Sequence, residues 1–164
     1  MSDHSVRVAV VTVSDTRTEA DDESGARLRE RLEAAGLVVS FRAIVRDEPA
    51  EIQAILARVA VEDLADAVVT TGGTGVAPRD RTYEALESLL EKRLDGFGEA
   101  FRRLSWDEIG PRAVLSRAIA GTYQGLVVAA LPGSPKAIAL AVDRILAPIL
   151  GHAVALARGQ ASKH

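Results

Sequence analysis

The chain has 164 residues, enough for one core and too few for two ordinary domains. Its 48% apolar and 26% charged residues are globular proportions that exclude a disordered or collagen-like chain, and a net charge of −3 excludes a global basic field drawn to nucleic acid or anionic lipid. The lack of cysteine removes thiol nucleophiles, iron–sulfur ligation and thiolate zinc sites, and fits the cytoplasm.

Residues 6–13, β-branched and nearly all apolar, predict a strand covered on both faces. Asp21 to Ser24 then supply capping side chains, Leu28, Leu32 and Ala35 share one helical face, and Gly36 stands where the helix stops. Residues 38–45 predict a second strand. Pro49 suits a first helical position, and Ile52, Ile55, Leu56 and Val59 repeat as one buried stripe. Residues 67–71 make a third strand that runs into Gly72-Gly73-Thr74-Gly75. Strand and helix alternating in this way predict an α/β class, a mainly parallel sheet between helices. From Thr82 to Leu104 helical patterns dominate, with a break expected at Asp95 to Gly98. Residues 118–122 and 126–131 read as two more strands around Tyr123-Gln124-Gly125, and Pro132-Gly133-Ser134-Pro135 opens a last helix. The stretch 137–157 is the most lipid-like, but Asp143 and Arg144 lie inside it and Pro148 interrupts it, so it reads as a core or interface helix with no membrane partner. One domain is expected over 6–158, between loose ends at 1–5 and 159–164.

In an open α/β sheet, ligands gather outside the carboxyl ends of the strands, where helix N-termini and free loops converge. The first strand is followed by Ser14-Asp15, the second by Asp47, the third by Gly72 to Gly75 and then Asp80, and the last by Pro132 to Lys136. Thr71 and Thr74 with three glycines can bring hydroxyls and main-chain N–H groups to a phosphate, although a plain tight turn reads equally well. The run is neither a Walker loop nor a dinucleotide fingerprint, since no Gly-Lys-Ser/Thr follows and Pro78 takes the last glycine's place. Asp80 and Asp47 are candidate oxygen ligands for magnesium on a triphosphate, with helix capping as the alternative for each, and Asp15 is a weaker candidate. Lys136, one of three lysines, falls in a first helical turn that disfavours a cation unless an anion offsets it. Ser116 and Arg117 can bind a second phosphate or simply finish a helix end. His152, on an apolar helix, reads as core or interface packing, and no histidine pair has zinc spacing. Ser134 has no histidine partner for a hydrolase triad, and the aromatics are too scattered for a nucleic-acid stacking platform.

Four ordered motifs carry a resemblance: Thr70 to Gly75 with Arg79-Asp80, Gly96-Phe97-Gly98-Glu99, Leu115-Ser116-Arg117, and Pro132-Gly133-Ser134-Pro135-Lys136-Ala137. Together they resemble the MoaB/MogA family of molybdenum-cofactor biosynthesis proteins over residues 6–158. The Pro-Gly-Ser-Pro form, with Trp106 to Gly110 ahead of Ser116, looks more like the MoaB branch, the other branch having Pro-Gly-Gln-Pro. The resemblance implies a three-layer α/β/α fold and a trimer or hexamer. It also implies Mg2+- and ATP-dependent adenylylation of molybdopterin in the cytoplasm, beside other enzymes of the pathway. By the same resemblance Asp47 and Asp80 are the catalytic and magnesium-handling acids and Ser116 binds substrate. Gly72 to Gly75 and Pro132 to Ser134 form the nucleotide and pterin loops, with Asp15 after the first strand. Two other readings stay open: a molybdopterin carrier without transfer, and a nucleotide-processing enzyme of the related CinA type.

Overall fold

The computed structural model describes residues 5–160, so the loose ends expected at 1–5 and 159–164 fall almost wholly outside it. Strand β1 (Arg7–Val13) shows why its sequence is apolar without alternation. Val8 and Val10 enter one core with Leu28, Leu32, Phe101 and Leu146, whereas Ala9, Val11 and Val13 enter a second with Ile52, Leu56 and Val59. Both faces are covered, as a central parallel strand requires.

Strands β2 (Val38–Val45), β3 (Ala67–Thr71), β4 (Lys92–Arg93), β5 (Ile119–Tyr123) and β6 (Leu126–Leu131) complete one sheet of order β2-β1-β3-β6-β5-β4. The pairs β1–β2, β1–β3 and β3–β6 are parallel, and β5 runs antiparallel to both β6 and β4. Five strands, β1, β2, β3, β6 and the short β4, therefore run toward one edge, and β5 begins there.

Helices α1 (Glu23–Ala34), α4 (Asp95–Ile109), α5 (Pro135–Ala141) and α6 (Ala147–Ala157) bury side chains in the first core; α2 (Pro49–Val61) and α3 (Thr82–Glu87) cover the other face. This is the expected three-layer α/β/α arrangement. Local chemistry sets the helix starts. Asp22 caps α1 by accepting from the Gly25 N–H at 2.9 Å, and Ser134 caps α5 by accepting from the Ala137 N–H, with Pro135 next in line.

Three expectations need correction. The break in the 82–104 helical pattern lies between α3 and α4, where β4 pairs with β5, not at Asp95 to Gly98. Two polar residues are too short a strand to show a period. Gly96 and Gly98 lie inside α4, and a Cβ on Gly98 would sit 2.8 Å from the Ala118 carbonyl oxygen, so that glycine serves close approach rather than a break. Second, Pro148 does not interrupt the last helix. A π turn at Val142–Leu146 joins α5 to α6, and it absorbs the missing N–H that an ordinary turn would have sent to the Arg144 carbonyl. The joined helix, 135–157, is long and apolar enough to cross a membrane, yet Ile138, Val142, Leu146, Leu150 and Val154 are buried in the first core and Asp143 pairs with Arg31. Third, of the two readings of His152, core and interface, the core one is overturned: α6 buries Leu150 and Val154, and a residue two places from each lies on the opposite, exposed side.

Candidate functional site

The edge where β1, β2, β3 and β6 end carries the candidate residues, and the reversal of β5 adds Ser116-Arg117 from the segment that precedes it. The Gly72–Gly75 bend is fixed on several sides. The Gly72 N–H donates to the Leu131 carbonyl at 2.9 Å, which ties the bend to the end of β6. Gly72 and Gly73 have φ of 102° and 73°, a region that only glycine enters freely. A Cβ on Gly73 would lie 2.6 Å from Asp47 Oδ2, and one on Gly75 would lie 2.7 Å from Asp80 Oδ2. The bend thus touches both carboxylates, one on each flank.

Asp47 is buried, and its hydrogen bonds are to main chain. Its Oδ1 accepts from the Arg81 N–H at 3.0 Å, while its own N–H donates to Asp15 Oδ1 at 3.1 Å. Burial pushes the carboxyl upward from its ordinary range, the Arg81 N–H pulls it down, and the nearby Asp80 charge pushes it up again. Asp47 is not a helix cap, since α2 starts at Pro49 with Glu48 in the cap position. Asp80 Oδ2 accepts from the Ala77 N–H at 2.9 Å within its own loop, and Arg81, not Asp80, precedes α3.

The arginines around the bend are spoken for. Arg79 pairs with Asp15, Arg81 with Glu48 at 3.2 Å, and Arg117 with Glu84, whose carboxyl it holds below its ordinary range. Among the described residues, neither Asp47 nor Asp80 has a side-chain cation as an ion-pair partner. Two carboxylates thus face one bend with main-chain donors only. Among the described residues no cluster of three or more His, Cys, Asp or Glu could cage a metal ion. Asp47 and Asp80 are the carboxylates at the bend that could contribute oxygen ligands to a metal ion completed by phosphates and water.

Ser116 Oγ is buried and has no hydrogen-bond partner among the described residues, and Thr70 Oγ1, two residues ahead of the bend, is in the same state. A buried hydroxyl without a partner costs about 1–3 kcal/mol, so Ser116 is a group whose hydrogen bond is still to be made. Pro132 and Gly133 lie beside the bend. The Thr71 hydroxyl donates to the Pro132 carbonyl at 3.4 Å and the Ser24 hydroxyl to the Gly133 carbonyl at 2.9 Å. A cleft of about 420 Å³ on one side is lined by Pro49, Val76, Pro78, Asp80, Arg81 and Arg117. Another of about 420 Å³ is lined by Ser14, Asp15, Thr18, Ile44 and Arg46. Both are within the size that small ligands occupy.

Asp15, Asp47, Thr71 to Gly75, Asp80, Ser116, Arg117, Pro132 and Gly133 are thus gathered on one rim, with Ser134 next to them as the α5 cap. Lys136 is set apart, in a separate cleft with Glu108, Asp143 and Arg144. Sequence reasoning missed Thr82, whose hydroxyl donates to the Gly72 carbonyl at 3.1 Å, and Glu84. Nothing in local spacing relates residue 84 to residue 117, because the pairing depends on where β5 begins.

Residues 9–152 match the family described as "Probable molybdopterin binding domain". A relative in Halalkalibacterium halodurans, named molybdenum cofactor biosynthesis protein B, is 50% identical over 148 residues, 90% of this chain and 87% of its own. A crystal structure of a molybdenum cofactor biosynthesis protein B superposes with a TM-score of 0.91 at 44% identity, covering 96% of this chain and 98% of the other. The tungsten cofactor synthesizing protein MoaB from Pyrococcus furiosus superposes with a TM-score of 0.83 at 38% identity, covering 94% and 98%.

Proposed function

The chain belongs to the MoaB/MogA family of molybdenum-cofactor biosynthesis proteins, and from that premise we propose that it catalyses Mg-ATP-dependent adenylylation of molybdopterin. In this reaction a phosphate oxygen of molybdopterin bonds to the α-phosphorus of ATP. The bond from that phosphorus to the β-phosphate oxygen breaks, and pyrophosphate leaves with its electron pair.

Such a transfer needs positioning and charge neutralisation, not a covalent nucleophile. The observation that carries the reading is the pair Asp47 and Asp80, held at one glycine bend by main-chain N–H groups while neighbouring arginines pair elsewhere. These two carboxylates would hold magnesium, which when bound supplies positive charge to the polyphosphate. The bend from Gly73 to Gly75 would offer N–H groups to phosphate oxygens, and the unmet Ser116 hydroxyl would orient a phosphate of molybdopterin. Asp15 orients Asp47 through its N–H, and Pro132 to Ser134 border the pterin half of the site. Assembly into three or six copies and a cytoplasmic setting belong to the same reading.

Incubation of the full chain with molybdopterin and Mg-ATP, followed by mass spectrometry of the small molecules, should yield adenylylated molybdopterin and pyrophosphate. Asp80→Asn should lower that yield by about 100-fold or more with an unchanged circular dichroism spectrum. Tight pterin binding by the wild type without pyrophosphate release would replace the enzyme by a carrier.

A further inference from the structure

Arg117 stands at the rim with a guanidinium already committed. Its Nε donates to the Gly75 carbonyl at 2.8 Å and its Nη2 to the Asp80 carbonyl at 2.9 Å, while Nη1 and Nη2 both reach the Glu84 carboxylate. Its main-chain N–H donates to the Thr74 carbonyl at 2.8 Å. The guanidinium also lies over the Tyr83 ring, 5.3 Å from its centre. Of the five N–H donors that a guanidinium has, these contacts leave a single one uncommitted. Glu84 meanwhile cancels the positive charge that a phosphate would seek.

The two carbonyls that the guanidinium gathers, of Gly75 and Asp80, belong to the loop that carries the Asp80 carboxylate, and the main-chain bond to Thr74 fixes the start of that loop. Within that loop Ala77 and Asp80 bond to each other, the Asp80 N–H to the Ala77 carbonyl and the Ala77 N–H to the Asp80 carboxylate, both at 2.9 Å. Arg117 itself leads directly into β5, a strand of the packed sheet. It therefore transmits the rigidity of the sheet to a loop that is otherwise bonded largely to itself. We infer that Arg117 is a positioning residue whose guanidinium holds the Gly75–Asp80 loop in working geometry through the carbonyls of Gly75 and Asp80, with Glu84 as the counter-charge that keeps the guanidinium in place. The inference deepens the adenylylation reading, and its kinetic half rests on that reading.

Lysine keeps the charge but has no planar fork, so Arg117→Lys separates the two roles. A phosphate contact would survive it in large part; the carbonyl clamp would not. In the full chain without ligands, amide hydrogen exchange at Ala77 and Asp80 should speed up about tenfold, with β1 and α6 unchanged. With Mg-ATP and molybdopterin, kcat should fall about 10- to 100-fold while KM for ATP stays within about twofold. Glu84→Gln removes the counter-charge without touching the carbonyls; it should move both readings the same way by less, and it decides the matter if Arg117→Lys fails to fold. Unchanged exchange at Ala77 and Asp80 overturns the inference, as does a tenfold rise in KM for ATP with kcat retained. If the wild type transfers no AMP at all, the adenylylation reading fails and the exchange measurement alone decides the positioning role.

Discussion

At the N-terminal edge of the sheet Asp66, 7% exposed, is gripped by cations; at the C-terminal edge Asp47, 8% exposed, is not. Asp66 accepts from the Arg7 N–H at 2.8 Å and pairs with the guanidinium groups of Arg7 and Arg158 at 3.0 and 2.7 Å. Burial pushes its carboxyl up, but the Arg7 hydrogen bonds and the charges of Arg158 and Arg7 together outweigh that and hold it below the ordinary range. Equal burial with opposite shifts shows that partners, not depth, decide what a buried acid is for. A carboxylate whose cations come from its own chain is a clasp, here tying the start of β1 to the end of α6. One left with main-chain donors alone, as Asp47 is, has no cation from its own chain, which is what the proposed magnesium role asks of it.

The largest expected way to break this contrast is Asp47→Asn, which should reduce AMP transfer about 100-fold. It should leave the ligand-free protein at least as stable at neutral pH, because it removes a buried charge and keeps an acceptor for the Arg81 N–H. Steady-state kinetics and urea unfolding read the two halves, and a loss of stability would place Asp47 among the clasps. Asp66→Ala should do the reverse. Chemical unfolding should show a loss of about 2–3 kcal/mol from the broken charged hydrogen bonds, with kcat unaffected.

The smallest effect, and the sharpest comparison, is in pH. Asp66, depressed in the folded state, gives its stability in full above the unfolded carboxylate pKa of about 3.9 and loses it as pH falls through its folded value. Asp47, raised, has the opposite sign and costs stability as pH rises from about 3.9 through its folded value. Urea midpoints without divalent cations should therefore converge toward acid for both pairs of proteins. At neutral pH, Asp66→Ala should lie below wild type and Asp47→Asn at or above it.

The architecture was largely legible because β1, β3 and β6 are buried on both faces and rich in Val and Ala, so that their length and the polar or glycine turns beside them identify them without any alternation. The rim followed from one topological rule, that parallel strands end together. What stayed hidden depended on long-range geometry. The two residues of β4 are strand only because β5 lies beside them, and the partners of Arg117 and Arg79 lie 33 and 64 positions away. Arg117 reads from the sequence as either a phosphate ligand or a helix-end group, and only its distant neighbours tell which contacts it makes. Lys136 shows the converse, since its helix-start position is as expected but the cleft it lines is shared with Glu108 and Asp143 and with no residue of the bend.

The π turn at Val142–Leu146 also sets the phase of everything that follows it. One wide turn carries an additional residue, and each residue of an ordinary helix rotates the next by about 100°. Wound as an ordinary turn, the same residues would keep their composition and their helical tendency. They would, however, rotate Leu150 and Val154 by about 100° out of the first core and bring Ile149 and Ala153 inward, whereas a chain one residue shorter there would restore the phase, so the hydrophobic seam of α6 is indexed by an insertion that no hydropathy profile records.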